Sequence, residues 1–355
     1  MNHGPRYGVL TRMTRTYEND LREPPARGAR PDGRHWGEDA RGRTAWRRGR
    51  LIGLCAVLLG LLPVFHGYVP DARGLGSLAE TFLPWFGLLI LPLLLLALRR
   101  RSAFALLTLV VPVMAWAGLL GGVFLGGGSD DGGTGAYRFG VVQHNIADDN
   151  PDPAGAVRAL AAAGPDLIAL EEVTPAALPA ISGALDGTYP HHAVHGTVGL
   201  WSKFPLRDVR PVDLKPEGIT QPWQRGLRAT ANTSVGHVAV YVAHLPSVRA
   251  AWPQGLKTGW RNEAAVKLGA ALEAERLERV VLLGDLNATA DDRGLDPVVA
   301  RMDDTGGAGF VFSWPRRFPV ARLDHVMVRD GVVSRVERLA ATGSDHVPVS
   351  AWLRF

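Results

Sequence analysis

Three uncharged apolar runs, residues 51–69, 82–98 and 103–125, follow one another near the start of this chain, and no other feature so restricts what it can fold into. Each is long enough to cross a hydrocarbon layer of roughly 30 Å as a helix. Three such runs in succession are hard to place in a water-soluble core, so the sequence predicts three transmembrane helices. Pro63, Pro84, Pro92 and Pro112 do not oppose this, because neighbouring helices in a bilayer can satisfy the carbonyls a proline frees. Arg41, Arg43, Arg47, Arg48 and Arg50 precede the first run, and Arg99, Arg100 and Arg101 separate the second from the third. Arginine clusters belong on the cytoplasmic side. Asp71, Arg73 and Glu80 then fall in an outer loop, and everything after about residue 126 is expected to be extracytoplasmic. The expected location is the cell membrane, multi-pass, with the lipid bilayer as partner. Arg47 and Arg48 also have the form of a twin-arginine export signal, but the rest of that motif is poor and plain anchoring is preferred.

A formal net charge of +5 and a pI near 9.6 would suggest a nucleic-acid partner if the folded part carried them. It does not, since the first 50 residues hold twelve Arg against six Asp or Glu, which leaves the remainder close to neutral. With no apolar period, residues 1–50 are expected to be a disordered basic cytoplasmic tail. Cys55 is the only cysteine, which excludes an intrachain disulfide and a cysteine-based zinc site. Residues 126–136 contain six Gly and are expected to be a flexible tether.

From Tyr137 onward the pattern changes to short β-rich runs. Strands are expected at 137–145, 167–171, 198–202, 226–233, 237–244, 280–284, 324–328 and 347–354, with helices at 152–163, 175–185 and 261–278. This mixed order, without strict alternation of strand and helix, predicts an α+β layered sandwich. Residues 137–355 are expected to form one catalytic domain with its own core and a complete site.

Polar residues gather at the ends of these strands: Asn145, Glu171 and Glu172, His244, Asp285 and Asn287, Asp324, then Asp345 and His346. Single Asp and Asn residues commonly cap turns, but six such places in one domain point to convergence on one edge. Hard oxygen donors of this kind suit Mg²⁺, Mn²⁺ or Ca²⁺ and disfavour zinc. The segments Val142-Gln143-His144-Asn145, Asp166-Leu167-Ile168-Ala169-Leu170-Glu171-Glu172-Val173, Gly199-Leu200-Trp201-Ser202-Lys203-Phe204-Pro205 and Ala243-His244-Leu245 come first. Gly284-Asp285-Leu286-Asn287-Ala288, Arg322-Leu323-Asp324-His325 and Gly343-Ser344-Asp345-His346-Val347-Pro348 follow. In this order they resemble the motif set of the endonuclease/exonuclease/phosphatase superfamily over almost all of residues 137–355. The resemblance implies a DNase I-like four-layer α/β/β/α sandwich and a divalent-metal-dependent hydrolase acting on phosphoester bonds, with Mg²⁺ as cofactor and Mn²⁺ or Ca²⁺ as alternatives. A neutral domain of this type behind three membrane spans also resembles the actinobacterial membrane proteins linked to teicoplanin and vancomycin resistance.

Splitting a phosphoester with water requires a cation for the non-bridging oxygens, a group to orient or deprotonate the water, and donors for developing charge. Glu172, with Asn145 beside it, is expected to hold the metal, and Asp345 to complete its shell. Asp285 would act on the water and Asn287 would fix the phosphate. Asp324 would orient His346 as a cationic donor, and His244 would be a second donor. Glu171 stands where the family usually has Gln, and strand alternation turns it away from Glu172, which leaves it either supporting the site or only packing. His325 is expected on the face opposite Asp324, His144 in a structural role, and Ser344 in a turn that shapes the site. His191, His192 and His195 are read as a solvated loop cluster. Of Arg225 and Arg228, the latter could reach an anionic substrate. Trp252 and Trp260, around Lys257, are either headgroup-level aromatics or ordinary ones.

Where DNA-repair members carry Asp two residues after the Asn, this chain has Ala147, with Asp148 one place further. The domain is short and nearly neutral, whereas duplex binding depends on neutralising many phosphates. The expected function is therefore a membrane-anchored extracytoplasmic phosphoesterase acting on a phosphodiester or pyrophosphate of a phosphorylated lipid or envelope intermediate. An extracytoplasmic endonuclease or exonuclease is the alternative. An inactive binding domain is a third reading, disfavoured because every acid, base and metal position is filled.

Overall fold

The structure is a computed structural model that describes residues 1, 49–125, 138–251, 253–306 and 311–355. The expected basic tail, apart from Met1, Gly49 and Arg50, lies outside the described residues, as do the glycine tether, the Arg47 and Arg48 pair, and Trp252.

The N-terminal part is helical: α1 (Arg50–Phe65), α2 (Leu75–Thr81), α3 (Leu83–Phe86), α4 (Ile90–Arg99), α5 (Ala103–Thr108) and α6 (Val110–Leu125). Small residues form the contacts between these helices. Gly53 lies against Phe104, Gly60 against Val111 and Pro112, and Ala56, Ala97 and Ala105 are buried. The large side chains face outward instead, with Leu51, Leu54, Leu58, Val64, Leu91, Leu95 and Met114 all exposed. A water-soluble bundle turns its large apolar side chains inward, whereas close approach over small residues is the pattern of helices packed in lipid. Because Gly49 meets Ser102 while Gly60 meets Val111, α1 and the α5–α6 pair run in the same direction. Arg50, Arg99, Arg100 and Arg101 therefore share one end of the bundle, and residues 66–86 lie at the other.

The expectation of three spans needs correction. Among the described residues one helix, Arg50–Tyr68, is long and apolar enough to cross a bilayer, or two if the helices Ala72–Thr81 and Leu83–Arg99, bent by 74°, count as one broken span. The third run includes the shorter apolar helix Ala103–Leu119. Hydropathy located the apolar second run but not the 74° bend that joins its helix to Ala72–Thr81. Trp85 in α3 stacks on Phe312 with ring centroids 5.4 Å apart, and its Nε1 donates to the Val320 carbonyl at 2.7 Å.

The remainder is built on β1 (Arg138–Asn145), β2 (Leu167–Glu171), β3 (His191–His195), β4 (Val198–Ser202), β5 (Leu206–Pro211), β6 (Gly226–Thr233), β7 (Gly236–His244), β8 (Arg249–Ala251), β9 (Gly255–Lys257), β10 (Val280–Asp285), β11 (Asp324–Arg329), β12 (Val332–Arg338) and β13 (Val349–Arg354). One sheet has the order β12-β13-β1-β2-β4-β3 and the other β11-β10-β7-β6-β5, while β8 and β9 make a small hairpin. Alternate residues such as Val141, Ala169, Val240, Val281 and Leu283 meet between the sheets. Their neighbours face outward: Val142, Ile168 and Leu170 pack on α7 (Pro153–Ala162) and α8 (Leu178–Leu185). On the other sheet Tyr241, Leu282 and Met327 pack on α9 (Gly259–Glu273) and α10 (Asp296–Val299). Each fully buried Val or Leu of this kind contributes about 1.5–3 kcal/mol. The DNase I-like four-layer sandwich expected for this region is present, and its central strands read as continuous apolar runs because both faces are covered.

Strands β3, β5 and β12 were not expected. Each is an edge strand, and β5 is exposed along nearly its whole length, so none carries the alternation that marks a half-buried strand. His191, His192 and His195 thus lie on β3 and not in a loop, with His192 stacked on Trp201.

Candidate active site

Strands β1 and β2 run parallel, as do β7 and β10, so their C-terminal residues Asn145, Glu171, His244 and Asp285 reach the same edge of the sandwich. Strand β11 is antiparallel to β10 and begins there, with Asp324 paired to Asp285. Glu172 follows the end of β2 with φ of 60°, a left-handed turn that swings its carboxylate back toward the site. Asn145 Nδ2 then donates to Glu172 Oε1 and to Asp285 Oδ2, each at 3.1 Å, while Asn145 Oδ1 accepts from the Ala147 amide. His244 Nε2 stands 3.8 Å from Glu172 Oε1 and 3.7 Å from Asp285 Oδ2. From the other side His346 Nε2 lies 3.7 Å from that same Asp285 oxygen, and His346 Nδ1 is 2.7 Å from Asp324 Oδ2.

Electrostatics assign different states to these neighbours. Burial alone would lower His346 and raise Asp324, but the pair reverses both. His346 rises to about 10 through Asp324 and Asp285, and Asp324 is held down at about 2 by His346 and by hydrogen bonds from His346, Ser313 and Gln143. Asp285 is pushed up to about 7 by burial, with His346 opposing and Asp324 reinforcing. His244 is driven well below the usual imidazole range by burial and then by Arg225 and His346, so it is neutral. Glu171 is fully buried beside Asp324 and Asp285, which raises it well above the carboxylate range; it accepts from Gln143 Nε2 at 2.8 Å, and the same amide nitrogen donates to Asp324 at 3.0 Å. Glu171 therefore supports the site through Gln143.

The donor set fits a divalent cation. Asp285, Asp324 and His346 offer ligand atoms within 4.8 Å of one another, but Asp324 and His346 already satisfy each other. The carboxylate left to face an ion is Glu172, with Asp285 held on the other side of the Asn145 amide. Asp345 lines the same cavity as Glu172, Asp285 and His346; its side chain is exposed, with Oδ2 accepting from Trp314 Nε1 at 3.4 Å. Asn287 lines the site, but its Nδ2 donates to the Leu245 carbonyl and its backbone amide to Asp285 Oδ1.

The remaining residues separate cleanly. His325 lies on the face opposite Asp324 and donates to the Ala288 carbonyl, and His144 pairs with Thr342 on the outer layer. Ser344 links the Asn145 carbonyl to the His346 amide, the turn-forming position expected. Arg228 is corrected: it is buried against Glu275 and Thr230, away from the edge. Of the two, Arg225 is the one next to the site, stacked 4.1 Å over Trp223 with Nη1 3.3 Å from His244 Nδ1. Trp260 is half exposed at the start of α9.

The site is not confined to residues 137–355. A cavity of about 580 Å³ is lined by Glu172, His244, Asp285 and His346 and also by Ser77, Leu78, Thr81 and Phe82. A clamp holds α2 there. Glu80, 1% exposed, receives Arg293 Nε at 2.8 Å and Nη2 at 2.6 Å, and Arg261 binds Asp292 with both terminal nitrogens while also donating to Ser77 Oγ at 3.2 Å. Removing one partner of such a buried pair costs about 3–5 kcal/mol. Gly74 has φ of 76° and packs so closely on Leu256 of the β8–β9 hairpin that a Cβ there would lie 2.5 Å from the leucine's own. Nothing in the sequence distinguished Glu80 from an ordinary loop charge, although it is the one acid between two apolar runs whose neighbours allow burial.

Hydrolysis of phosphoester bonds with a divalent metal is the chemistry that this fold and this edge define. The match is direct in sequence: residues 136–346 fit the signature of the Endonuclease/Exonuclease/phosphatase family, and the chain belongs to it. No curated protein sequence matches it. Among solved structures, a functionally unknown conserved protein from Enterococcus faecalis V583 is similar, at 17% identity over 60% of this chain and 98% of its own, with a TM-score of 0.50. A beta toxin of Staphylococcus aureus is 14% identical over 60% of this chain and 99% of its own, with a TM-score of 0.49. An endonuclease/exonuclease/phosphatase family protein from Bacteroides thetaiotaomicron is 15% identical over 62% of this chain and 98% of its own, also at 0.49. At these identities the likeness concerns the sandwich and not its substrate.

Proposed function

We propose that the chain is a membrane-anchored, extracytoplasmic phosphoesterase that splits a phosphodiester or pyrophosphate bond of a phosphorylated lipid or cell-envelope intermediate, with Mg²⁺ as the working cation and Mn²⁺ or Ca²⁺ as substitutes. The observation that carries this reading is the outward-facing belt of large apolar side chains on a bundle docked against the catalytic cavity. Water does not leave such a surface open, and hydrocarbon around it removes the cost. Arg50, Arg99, Arg100 and Arg101 cluster at the end away from the cavity, which supports a cytoplasmic arginine end and an outer catalytic domain. The same arrangement is the basis of the resemblance to membrane proteins linked to teicoplanin and vancomycin resistance. Asp148 and Asp149 at the cavity mouth disfavour a polyanionic duplex, which keeps a nuclease as the lesser alternative. A reporter active only outside the cytoplasm, fused after Phe355, is expected to be active. Signal from a cytoplasm-only reporter at that position overturns the orientation.

In the proposed mechanism Glu172, beside Asn145, holds the divalent cation, which neutralises the non-bridging phosphate oxygens when bound. Asp285 takes a proton from the attacking water as its oxygen bonds to phosphorus and the bond to the leaving oxygen breaks. His346, kept protonated by Asp324, donates to the phosphate group, and neutral His244 offers one further N–H. EDTA is expected to abolish hydrolysis. Glu172→Ala should lose about 10- to 100-fold at low Mg²⁺ and recover part of it as Mg²⁺ is raised, since a ligand has gone and not the group acting on water. Activity that survives EDTA refutes the cation assignment.

A further inference from the structure

Resting on the phosphoesterase reading above, we infer that α2 and the residue after it belong to the substrate site, and that Leu78, Thr81 and Phe82 receive the apolar chain of an amphiphilic phosphate ester. These three side chains line the same cavity as Glu172, Asp285 and His346. The cavity volume is about 580 Å³. Taking about 30 Å³ for each water-sized group, a phosphate and its attacking water fill a small part of that space. Part of the rest is bounded by apolar side chains, where Val248, Leu256 and Leu323 join Leu78 and Phe82, while Asp148, Asp149 and Ser247 also line the cavity.

The placement of this wall is built and not incidental. Glu80, two residues after Leu78 and one before Thr81, points the other way into Arg293, and Ser77 at the edge of the cavity is fixed by Arg261 and Asp292. The helix thus turns Glu80 into the sandwich, while Leu78, 41% exposed, and half-buried Phe82 are presented to the cavity. Immediately after Phe82 the chain enters the bundle, whose Leu88, Leu89 and Leu91 are exposed on its outer surface. A substrate chain lying on Leu78 and Phe82 would lead from the phosphate toward that apolar surface. A water-soluble phosphodiester has no such chain and gains nothing from the wall.

The test uses the full-length protein in lipid nanodiscs with Mg²⁺, comparing Leu78→Ser/Phe82→Ser with wild type. Three probes are assayed: bis(p-nitrophenyl) phosphate as a soluble diester, phosphatidylcholine as a long-chain diester, and a polyprenyl pyrophosphate. The two amphiphiles tell a diester headgroup from a pyrophosphate. For whichever amphiphile the wild type hydrolyses, kcat/KM is expected to fall about 10- to 100-fold, from the loss of two apolar contacts. The soluble diester should change by no more than about twofold, and Leu78→Met/Phe82→Leu should restore the amphiphile. Equal losses on the soluble diester and the amphiphile would mean a structural role and overturn the inference, as would an unchanged rate on the amphiphile. Wild type that cleaves only the soluble diester also overturns it while leaving the phosphoesterase reading intact. Wild type inactive on all three overturns that reading and this one with it.

Discussion

Asp285→Ala in the full-length protein lowers turnover by about 10³- to 10⁴-fold in a steady-state phosphoesterase assay, and raising Mg²⁺ does not restore it. Asp285 is the one carboxylate approached by all three of its working neighbours. It accepts from Asn145 and stands 3.7 Å from both His244 and His346. It is also 1% exposed, so its burial raises its proton affinity to about 7, where a base can take a proton from water at neutral pH. Alanine removes the base and leaves His346 facing a void. The internal comparison is His325→Ala, whose imidazole is as buried but bonds to Ala288 on the far face. It is expected to keep most of the activity while losing stability. Equal inactivity of the two variants would show that burial disrupts folding in both and that Asp285 has no special part in the chemistry.

His346→Ala is expected to cost about 10²- to 10⁴-fold, and the Asp324→Asn/His346→Ala double variant no more than His346→Ala alone, because the two act as one unit. The pair also sets a pH limit. His346 has its proton affinity raised to about 10 from an ordinary value of 6.5, so its contribution to stability is complete below the ordinary value and is lost as pH rises through the folded one. Asp324 is lowered to about 2 from 3.8, so its contribution is present above the ordinary value and is lost as pH falls through the folded one. Activity that depends on protonated His346 should therefore persist into alkaline solution. Asp324→Asn removes the main anion holding that proton, and its alkaline limb should move to lower pH in a kcat profile. An unmoved limb would separate Asp324 from His346 and leave the imidazole's role without support.

The central strands were legible because each is covered on both faces: β2, β4 and β6 match the expected 167–171, 198–202 and 226–233. The edge strands β3, β5 and β12 were not, since a strand with one neighbour and a solvated face needs no apolar code. At the site, the type and order of residues foretold which would meet, because parallel pairs β1–β2 and β7–β10 bring their ends together. Sequence could not say which way each side chain turns once a strand has ended. Glu172 comes inward through a left-handed residue at the end of β2. Arg225 and Arg228 were separated by the same effect, one at the strand mouth and one on its outer face against Glu275. The largest omission was α2. Its contacts join residues more than 180 positions apart, as in Arg261 with Ser77 at |i−j| of 184, and no local pattern records such a pairing.

The clamp around Glu80 and Ser77 has a geometric consequence. Besides the peptide chain itself, the helical bundle is joined to the sandwich by the buried ion pairs of α2 with Arg293, Asp292 and Arg261, by Trp85 against Phe312 and Val320, and by Gly74 against Leu256. A body attached at a single point can pivot; one attached at two separated points keeps its bearing. The docked helix therefore acts as the bracket that sets the angle and standoff of the catalytic mouth from the bundle.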